Sequence, residues 1–536
     1  MIDGRPILAL ASLLLSAAAA GGADGGAFAR RAVLIHYPYT SDDHVERTKK
    51  IVETAGAHGY NTAVVASSVG LGMSHVWSAE RRERFLAAKR ACEAAGLEPC
   101  AGMWSIGYAK ESFFPIDPNL VAAAPVFDTH YIVSNGVGVL RRKRTVSLLD
   151  APGEIHSPRR ETDVGKFHVK VVPARSYCLR LKLSSEPGKS GTWPVFAVVR
   201  RAGAKTDYIE HRVFRVKADG TPQEFQVYFS SLAERELDIS VGGYNRVFPG
   251  SVRLLSAELF QTEPRLIVRR HGTPVTVRNA ATGETYAEGR DFMPIPRAPG
   301  TWPGPWNKPA QLPLKIVKGG AIREGDELVL DCYCSFPTWG RWCSACMGAV
   351  EMDDILEKSA AETVRLMNPK VWLLSFDEVR TGGGCRDCLA IGDMAHVYAA
   401  FVKKCMATVR RLRPDAEFYL WNDMVDPNAL VEDGKNAGMY SSMKGVWDLL
   451  PRDLGIGYWT YKWREEGTKF FAERGHPQLM CGYYDEKVLK RSLEWMDLAA
   501  RTPNCRGVMY CTWGDNWDLL GAFGDKMVEA KEREGK

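Results

Sequence analysis

The chain has 536 residues, of which 45% are hydrophobic and 25% are charged, and its formal net charge is +6. This composition is typical of a globular protein, and the length allows one large domain with one or two smaller ones. The 70 basic and 64 acidic residues are spread along the chain without a long basic run, which argues against a nucleic-acid partner. The densest basic cluster, RRKR at 141–144, is interpreted as a solvated turn.

The N-terminus has the pattern of an export signal. Arg5 precedes the short apolar stretch ILALASLLLSAAAA at 7–20, and small residues follow up to AFA at 27–29. A basic start, a short apolar core and a small-residue cleavage site together make a secretory signal peptide. We therefore expect residues 1–29 to be a signal peptide and the protein to be periplasmic, extracellular or on the cell surface. An uncleaved anchor is the alternative, and no later stretch is long and apolar enough to cross a bilayer.

After the signal, short apolar strands alternate with amphipathic helices. In chain order the predicted elements are strand 31–37, helix 43–58, strand 60–67, helix 80–96 and strand 98–104. Nearly continuous apolar strands separated by helices indicate a parallel sheet that helices cover. Residues 30–127 are therefore predicted to form the first part of a parallel barrel.

The alternation stops near residue 128, and the chain becomes rich in strands. Apolar and polar residues alternate within 176–185, 192–201, 223–231, 236–244 and 251–261. A period of two residues is typical of antiparallel strands with one buried face. We predict that residues 128–328 are an insertion, with a β-sandwich over about 155–265. A small β piece and a Pro/Gly-rich linker follow over about 266–328.

The strand and helix alternation returns over 329–536. The predicted strands are 370–378, 417–424, 455–461, 478–485 and 507–513, with helices at 352–367, 394–412, 466–474 and 487–500. Together with the three earlier strands they make eight, the number that closes a (β/α)8 barrel. The segment 327–336 is also strand-like, and it is either the exit strand of the insertion or the true third barrel strand. The predicted fold is an α/β TIM barrel that an antiparallel β-sandwich insertion interrupts after its third strand.

Carboxylates and aromatic rings gather where the predicted barrel strands end, which is where TIM barrels carry their chemistry. The stretch VWLLSFDE ends in Asp377 and Glu378. The other strand-end residues are Trp421, Asn422, Asp423, Trp459, Tyr461, Tyr483, Asp485, Trp513 and Asp515. Apolar sugar faces stack on tryptophan while sugar hydroxyls bind carboxylates, so this combination predicts a glycan ligand. A single tryptophan is more often a core residue, and the prediction therefore depends on several strand ends agreeing.

The segment from about 352 to 526 resembles the catalytic domain of the family 20 glycoside hydrolases, the β-N-acetylhexosaminidases. The matching motifs are SFDE at 375–378, YYD with Tyr483 and Asp485, and TWGD with Trp513 and Asp515. In that family these motifs end the fourth, seventh and eighth barrel strands. Residues 31–107 match more weakly, and the insertion does not match.

The resemblance also suggests which residues bind the sugar. Trp421 and Trp459 lie where tryptophans of the family wall the sugar pocket. His36 stands where the family has an arginine that binds sugar hydroxyls, and Asp423 is assigned to the substrate as well. The sequence departs from the family before the acidic pair, because Leu373 to Phe376 replace a His-x-Gly-Gly motif.

The mechanism that the resemblance implies is substrate-assisted, so the protein supplies no nucleophile and needs no cofactor for catalysis. Glu378 would protonate the leaving oxygen, Asp377 would accept the acetamido N–H and Tyr483 would donate to the acetamido oxygen. Neighbouring strand residues point to opposite sides. Asp377 and Glu378 therefore reach one sugar only if the strand end bends, for which the glycines of TGGGC (381–385) give freedom.

Two other functions remain open. The first is a retaining glycosidase that acts on sugars without an acetamido group, with Asp485 or Asp515 as its nucleophile. The second is a non-catalytic glycan-binding protein in which the insertion is the binding module. In each case the partner is a glycan or oligosaccharide, and no membrane contact is expected beyond the signal. The sequence gives no indication of the oligomeric state.

The chain has thirteen cysteines, and four of them have CxxC spacing. These are Cys343 with Cys346 and Cys385 with Cys388. CxxC spacing lets two sulfurs reach one tetrahedral ion, so the two pairs together would form a structural zinc site. In an exported protein the alternatives are disulfides or free buried thiols.

Overall fold

The computed structural model describes residues 26–65, 71–141, 145–156, 163–186, 191–204, 208–243, 251–296, 314–338, 342–430 and 438–534. Most of the predicted signal peptide, the basic residues 142–144 and the Pro/Gly-rich stretch 297–313 lie outside these ranges. Within them, no helix is both long and apolar enough to cross a bilayer.

Eight parallel strands close into a barrel. They are β1 (Arg30–Ile35), β2 (Thr62–Val65), β3 (Glu98–Met103), β4 (Val371–Leu374), β5 (Glu417–Trp421), β6 (Gly455–Tyr458), β7 (Gln478–Tyr484) and β8 (Cys505–Cys511). Each strand pairs with the next one in the chain, and β8 pairs with β1 to complete the circle. The chain is therefore a mixed α/β protein, and the closed parallel barrel is consistent with the predicted (β/α)8 architecture.

The identity of the third barrel strand, which the sequence left open, follows from the pairing. Trp372 of β4 pairs in parallel with Ala101 of β3. The competing segment, Glu327–Cys334, pairs antiparallel with Ala124–Ser134 and lies outside the barrel. The strand-rich region therefore enters the chain after the third barrel strand.

Helices pack on the outside of the barrel. Among the described residues the α-helices are Asp42–Ala57, Ala79–Ala94, Ala109–Ser112, Met352–Met367, Arg386–Ile391, Met394–Leu412, Val446–Leu449, Arg464–Glu473, Lys490–Arg501 and Leu520–Glu534. The helix Met352–Met367 buries Ile355, Leu356 and Ser359 at helical spacing. The helix Met394–Leu412 begins at Asp393, whose side chain accepts the N–H of His396 as an N-cap.

Large side chains of β5 fill the barrel interior because β6 offers glycines opposite them. Tyr419 and Trp421 are 3% exposed and belong to the interior hydrophobic cluster. A Cβ atom on Gly455 would lie 2.5 Å from the Tyr419 ring, and one on Gly457 would lie 3.2 Å from the Trp421 ring. The two glycines therefore provide the space that the two rings occupy.

We expect Gly455→Ala to lower the free energy of unfolding by about 1–3 kcal/mol, the usual cost of overpacking a filled core. The new methyl group would meet a buried ring that has no room to move. Gly457→Ala is the matched control, since its closest contact is longer and its loss should be smaller. Urea denaturation of both variants measures the difference, and equal stability of the two would contradict the packing argument.

The region between β3 and β4 forms antiparallel sheets in the described residues. A four-stranded sheet has the order Glu210–Lys217, Thr192–Arg201, Glu236–Gly243, Asp163–Lys170. A five-stranded sheet has the order Gln223–Ser230, Ser176–Ser185, Ser251–Gln261, Val146–Ser147, with Gly153–His156 also paired to Ser251–Gln261. One hydrophobic cluster takes residues from both sheets, among them Leu181 and Val195.

A third antiparallel sheet has six strands and its own hydrophobic cluster. Its order is Thr285–Tyr286, Thr276–Asn279, Glu327–Cys334, Ala124–Ser134, Val137–Leu140, Leu314–Lys315. A pair of two-residue strands, Thr381–Gly382 and Gly438–Met439, joins the loops that follow β4 and β5. The loop after β4 is therefore tied to its neighbour on the same face of the barrel.

Candidate functional site

The chain after β4 turns its carboxylates toward the carboxyl end of the barrel. The regular strand ends at Leu374, and Phe376 packs outward against Tyr398 and Phe401 of the helix Met394–Leu412. The Tyr398 hydroxyl donates to the Phe376 carbonyl at 3.0 Å. With Phe376 anchored on the helix side, Asp377 lies on the opposite side of the chain, next to the end of β5.

Asp423 joins the two neighbouring acids into one cluster. Its Oδ2 atom accepts the backbone N–H of Glu378 at 2.8 Å, and its carboxylate interacts electrostatically with that of Asp377. Trp459, which follows β6, directs its indole N–H toward Oδ1 of Asp423 at 3.4 Å. We call Asp377, Glu378 and Asp423 the acid cluster.

Two carboxyl groups of the acid cluster hold protons more strongly than usual. Burial raises the pKa of Asp377 to about 6. Burial, together with the neighbouring charge of Asp377, raises the pKa of Asp423 to about 8. Desolvation and like-charge proximity are the two effects that keep a carboxyl group protonated near neutral pH. The cluster can therefore hold a protonated and an ionised carboxyl side by side, as general acid–base catalysis requires.

Glu378 is held by donors on the opposite side of the cluster. Its Oε2 atom accepts Nη2 of Arg380 at 2.5 Å and also the hydroxyl of Tyr108. Its backbone is in the left-handed region, with φ of 50°. A non-glycine residue in that region stores strain, which is common at functional sites. The turn lets Asp377 and Glu378 both lie beside Asp423, although they are sequence neighbours.

Aromatic rings border this side of the acid cluster. Tyr108 meets Trp342 edge to face with ring centroids 4.9 Å apart, and the Arg380 guanidinium lies 5.3 Å and 5.8 Å from the two centroids. The segment that carries Tyr108 approaches closely, since a Cβ atom on Gly107 would lie 2.2 Å from the Asp377 carbonyl oxygen. Glycine is therefore required there.

A second group of predicted residues lies at the ends of β1, β7 and β8. Asp485 accepts the hydroxyl of Thr512 and the backbone N–H groups of Trp513 and Gly514 at 2.8 and 2.9 Å. These bonds engage both carboxylate oxygens. Asp485 therefore orders the loop after β8.

Asp515 also accepts hydrogen bonds on both of its carboxylate oxygens. Its Oδ1 accepts the hydroxyl of Tyr37 and the indole N–H of Trp517 at 2.7 Å, and its Oδ2 accepts Arg47 at 2.6 Å. Burial opposes ionisation, but the bonds from Tyr37, Trp517 and Arg47 prevail and lower the pKa of Asp515. It is thus an ionised carboxylate that joins β1 to the loop after β8.

His36 and Trp513 contact each other at this face, with ring centroids 5.0 Å apart. Trp513 is 39% exposed, so its ring can meet a ligand. Burial lowers the pKa of His36, although Asp515 and Asp485 oppose the shift. The His36 Nδ1 atom is buried and has no hydrogen-bond partner among the described residues.

The structure does not bring Tyr483 to the acid cluster. β7 carries a bulge between Cys481 and Tyr483, so that Tyr483 pairs with Tyr510 on the helix side of β8. The two rings stack with centroids 4.1 Å apart, and the Tyr483 hydroxyl donates to the Glu486 carbonyl at 2.6 Å. The role expected from the resemblance, a donor to an acetamido oxygen, does not fit this position.

Trp421 is also away from an open surface. It is 3% exposed inside the barrel, whereas Trp459 is half-buried above it at the end of β6. Trp421 does not reach the sugar-binding position predicted for it, because it is still within the regular strand and faces Gly457. Of the three tryptophans predicted to bind the sugar, Trp459 is the one that contacts the acid cluster.

Three of the four CxxC cysteines meet behind this face. The Sγ atoms of Cys346, Cys385 and Cys388 lie 3.5 Å from one another. Cys343 is not part of this group, so the four-cysteine site expected from the spacing does not form. All thirteen cysteines are buried and free of disulfide bonds.

Three residues beside the acid cluster were not identified from the sequence. Arg380 follows Glu378 by two residues. A basic residue so close to an acidic pair could have indicated an ion pair at the site. No sequence pattern indicated Tyr108 or Trp342. Tyr108 lies in a turn after β3, and Trp342 lies in a loop that leaves the insertion.

Comparison with known proteins identifies no relative: no family model and no curated protein matches the chain. Three solved structures each match about a quarter of it. A carbohydrate-binding module of family 4 is 14% identical, with a TM-score of 0.15, covering 24% of this chain and 76% of that one. A family 115 4-O-methyl-α-glucuronidase is 9% identical, with a TM-score of 0.17, covering 23% and 17%. A family 6 module from Cellvibrio mixtus lichenase 5A is 14% identical, with a TM-score of 0.14, covering 26% and 99%. Structural similarity this low does not indicate a function, so the functional proposal rests on the geometry of the site.

Proposed function

We propose that this protein is an exported glycoside hydrolase whose acid–base chemistry is carried by Asp377, Glu378 and Asp423. The observation that supports this most is the meeting of three carboxyl groups at the carboxyl end of the barrel, where Asp423 accepts the Glu378 N–H and burial raises the pKa of Asp377 and Asp423. Glycosidic cleavage needs one carboxyl group that donates a proton to the leaving oxygen and another group that stays ionised. Export rests on the N-terminal sequence pattern alone.

The pKa values suggest how the roles are divided. Asp423, with a pKa of about 8, is protonated at neutral pH and suits the general acid. Asp377, with a pKa of about 6, is ionised at neutral pH and suits the stabilisation of positive charge on the sugar. Glu378, oriented by Arg380 and Tyr108, suits the activation of water, and the proton it takes then passes within the acid cluster to Asp423, which restores the general acid. This division differs from the family 20 resemblance, in which Glu378 is the acid.

The rings near the acid cluster support a sugar as the substrate. Trp459 contacts Asp423, while Tyr108 and Trp342 border Glu378. Aromatic faces next to carboxylates offer a sugar both stacking for its C–H face and acceptors for its hydroxyl groups. The sequence predicted a glycan ligand from aromatic rings and carboxylates at many strand ends. Here the proposal uses only those that lie at the acid cluster.

For the substrate class we propose glycans that contain N-acetylhexosamine, cleaved with participation of the acetamido group. The alternative nucleophiles, Asp485 and Asp515, accept hydrogen bonds on both of their oxygens. A carboxylate committed in this way to ordering loops is a poor nucleophile. The acetamido group of the substrate would then supply the attacking oxygen, although Tyr483 cannot assist it from its position behind β7.

Aryl β-glycosides of N-acetylglucosamine, glucose and galactose test the proposal. We expect hydrolysis of the N-acetylglucosaminide, and we expect Glu378→Gln to lower kcat at least about 100-fold, the usual contribution of a general acid or base. Sugar binding should persist, since the amide keeps the shape of the side chain. Glu357→Gln, on the exposed face of an outer helix, is the matched control. Undiminished hydrolysis by Glu378→Gln would refute the mechanism.

A non-catalytic glycan-binding protein is the second candidate. It is favoured by the shared hydrophobic cluster of the two antiparallel sheets, because we infer that they form the predicted β-sandwich, a common architecture of binding modules. In this case the full chain would bind glycans but release no sugar from any of the three aryl glycosides between pH 5 and 9.

A further inference from the structure

Three cysteines from two separate segments form a regular triangle of sulfurs. Cys346 precedes the helix Met352–Met367, whereas Cys385 and Cys388 follow β4 by eleven or more residues. Their three Sγ–Sγ distances are all 3.5 Å, and all three residues are buried. We call these residues the thiol triangle.

We propose that the thiol triangle binds one zinc ion through three thiolates, with a small exogenous ligand such as water in the fourth position. Sulfurs that bind zinc at about 2.3 Å in a tetrahedron lie about 3.8 Å apart. The observed 3.5 Å is close to that spacing, whereas the sulfurs of a disulfide are only about 2.0 Å apart. A fourth protein ligand is not found among the described histidine, cysteine and acidic residues near the triangle.

A buried arginine supports thiolates rather than thiols at this place. Arg270 donates through Nη1 to the carbonyls of Asn119 and Val121 at 2.7 and 2.8 Å. Among the described residues its buried Nε and Nη2 atoms have no oxygen partner, and its charge faces the three cysteines. A buried cation needs a nearby anion. Three thiolates around a divalent ion leave one net negative charge, which Arg270 would balance.

The nearby cysteine Cys343 explains why the two CxxC motifs are not equivalent. Its carbonyl accepts the N–H of Ala109 at 2.9 Å, and its thiol is buried beside Lys110 and Glu111. The segment that follows β3 thus holds Cys343 away from the triangle. The backbone N–H of Cys346 donates to the Leu120 carbonyl at 2.7 Å. One motif contributes both sulfurs and the other contributes one.

The proposed ion would fasten the loop that carries Arg380. Ser344, between Cys343 and Cys346, accepts the backbone N–H groups of Arg380 and Thr381 at 3.0 and 3.3 Å. The triangle joins the same two segments a few residues further on. Zinc would therefore restrict the position of Arg380, and Arg380 in turn holds the Glu378 carboxylate. Metal binding itself does not depend on the proposed hydrolase function.

Metal analysis of the full chain tests this inference. Protein purified without chelator is expected to contain on the order of one zinc per chain, and Cys346→Ser or Cys388→Ser should lose at least nine-tenths of it. Cys343→Ser is the matched control, because it removes a buried thiol from the neighbouring position and should keep the zinc. Circular dichroism establishes whether each variant is folded.

Cobalt substitution keeps the test independent of variant folding. Wild-type protein stripped with a chelator and given Co²⁺ should develop a sulfur-to-cobalt charge-transfer band and tetrahedral d–d bands, with a stoichiometry of one. Absence of both zinc and the cobalt spectrum in wild-type protein would overturn the proposal. So would a disulfide between two cysteines of the thiol triangle in metal-free denatured protein, identified by mass mapping of the cysteine-containing peptides.

Discussion

Replacing Asp423 by asparagine is expected to lower kcat for the preferred aryl glycoside by about 10²–10⁴-fold at neutral pH, the range over which general acids contribute. The amide keeps the acceptor for the Glu378 N–H, but its N–H groups are not acidic enough to protonate a leaving oxygen. Asp423 is protonated at neutral pH, so the substitution removes no charge from the acid cluster. The variant should therefore remain folded and bind sugar while turnover is lost.

The pH dependence distinguishes this role from a structural one. In the wild type, turnover needs Asp377 ionised and Asp423 protonated, so we expect a maximum between about pH 6 and about pH 8. Below this window Asp377 gains a proton, and above it Asp423 loses one. Because the two groups interact, the limbs belong to the pair as a whole. Asp423→Asn should remove the alkaline limb, and Asp377→Asn should remove the acidic limb.

Asp415→Asn is the matched control for both variants. Asp415 lies just before β5 at the opposite end of the barrel, with its side chain 58% exposed and paired with Arg413. Its substitution should leave kcat and the pH profile unchanged. A wild-type profile in Asp423→Asn would show that this carboxyl does not supply the proton. An aryl substrate with a good leaving group should rescue the variant partly, because it needs less protonation.

The barrel strands were predictable because they are buried on both sides. The continuous apolar runs of β1, β4 and β8 leave little choice except a parallel sheet under helices. The sequence could not decide between Glu98–Met103 and Glu327–Cys334 as the third barrel strand, since both are apolar. The deciding fact is a long-range pairing with β4, which no local pattern contains.

The position of Tyr483 shows why site residues are harder to predict than strands. Simple alternation from Leu479 and Cys481, which face the barrel interior, puts Tyr483 inside. The bulge adds one residue and turns Tyr483 to the helix side, where it stacks on Tyr510. One inserted residue moves every later side chain of the strand to the opposite face. Gly482 lies at the bulge, but a glycine within a strand is only a weak sequence indication of a bulge.

Asp423 was predicted correctly as a strand-end carboxylate, but its interaction with Asp377 was not predicted. The sequence placed it at a strand end and assigned it to the sugar. Its electrostatic coupling to Asp377 depends on how far the chain bends after Leu374, through Phe376 and the left-handed Glu378. Such a bend is set by tertiary contacts. The raised pKa values that suggest a mechanism therefore appear only in three dimensions.

Phe376→Ala is expected to lower the free energy of unfolding by about 3–5 kcal/mol, the range for truncating a fully buried phenylalanine. Phe376 is 0% exposed and packs against Tyr398 and Phe401, which are also buried. The same ring anchors the turn that presents Asp377 and Glu378. We therefore expect kcat to fall as well, even at temperatures where the variant is fully folded.

The matched control for this change is Phe470→Ala on the helix Arg464–Glu473. Phe470 is half-buried, and its ring contacts Trp447, Phe471 and Arg474. Its truncation should cost less stability and leave kcat unchanged. Urea denaturation and steady-state kinetics on both variants separate the two effects. If Phe376→Ala were destabilised but kept full activity, the acid cluster would be positioned by bonds other than the anchor at Phe376, such as those from Arg380 and Tyr108 to Glu378.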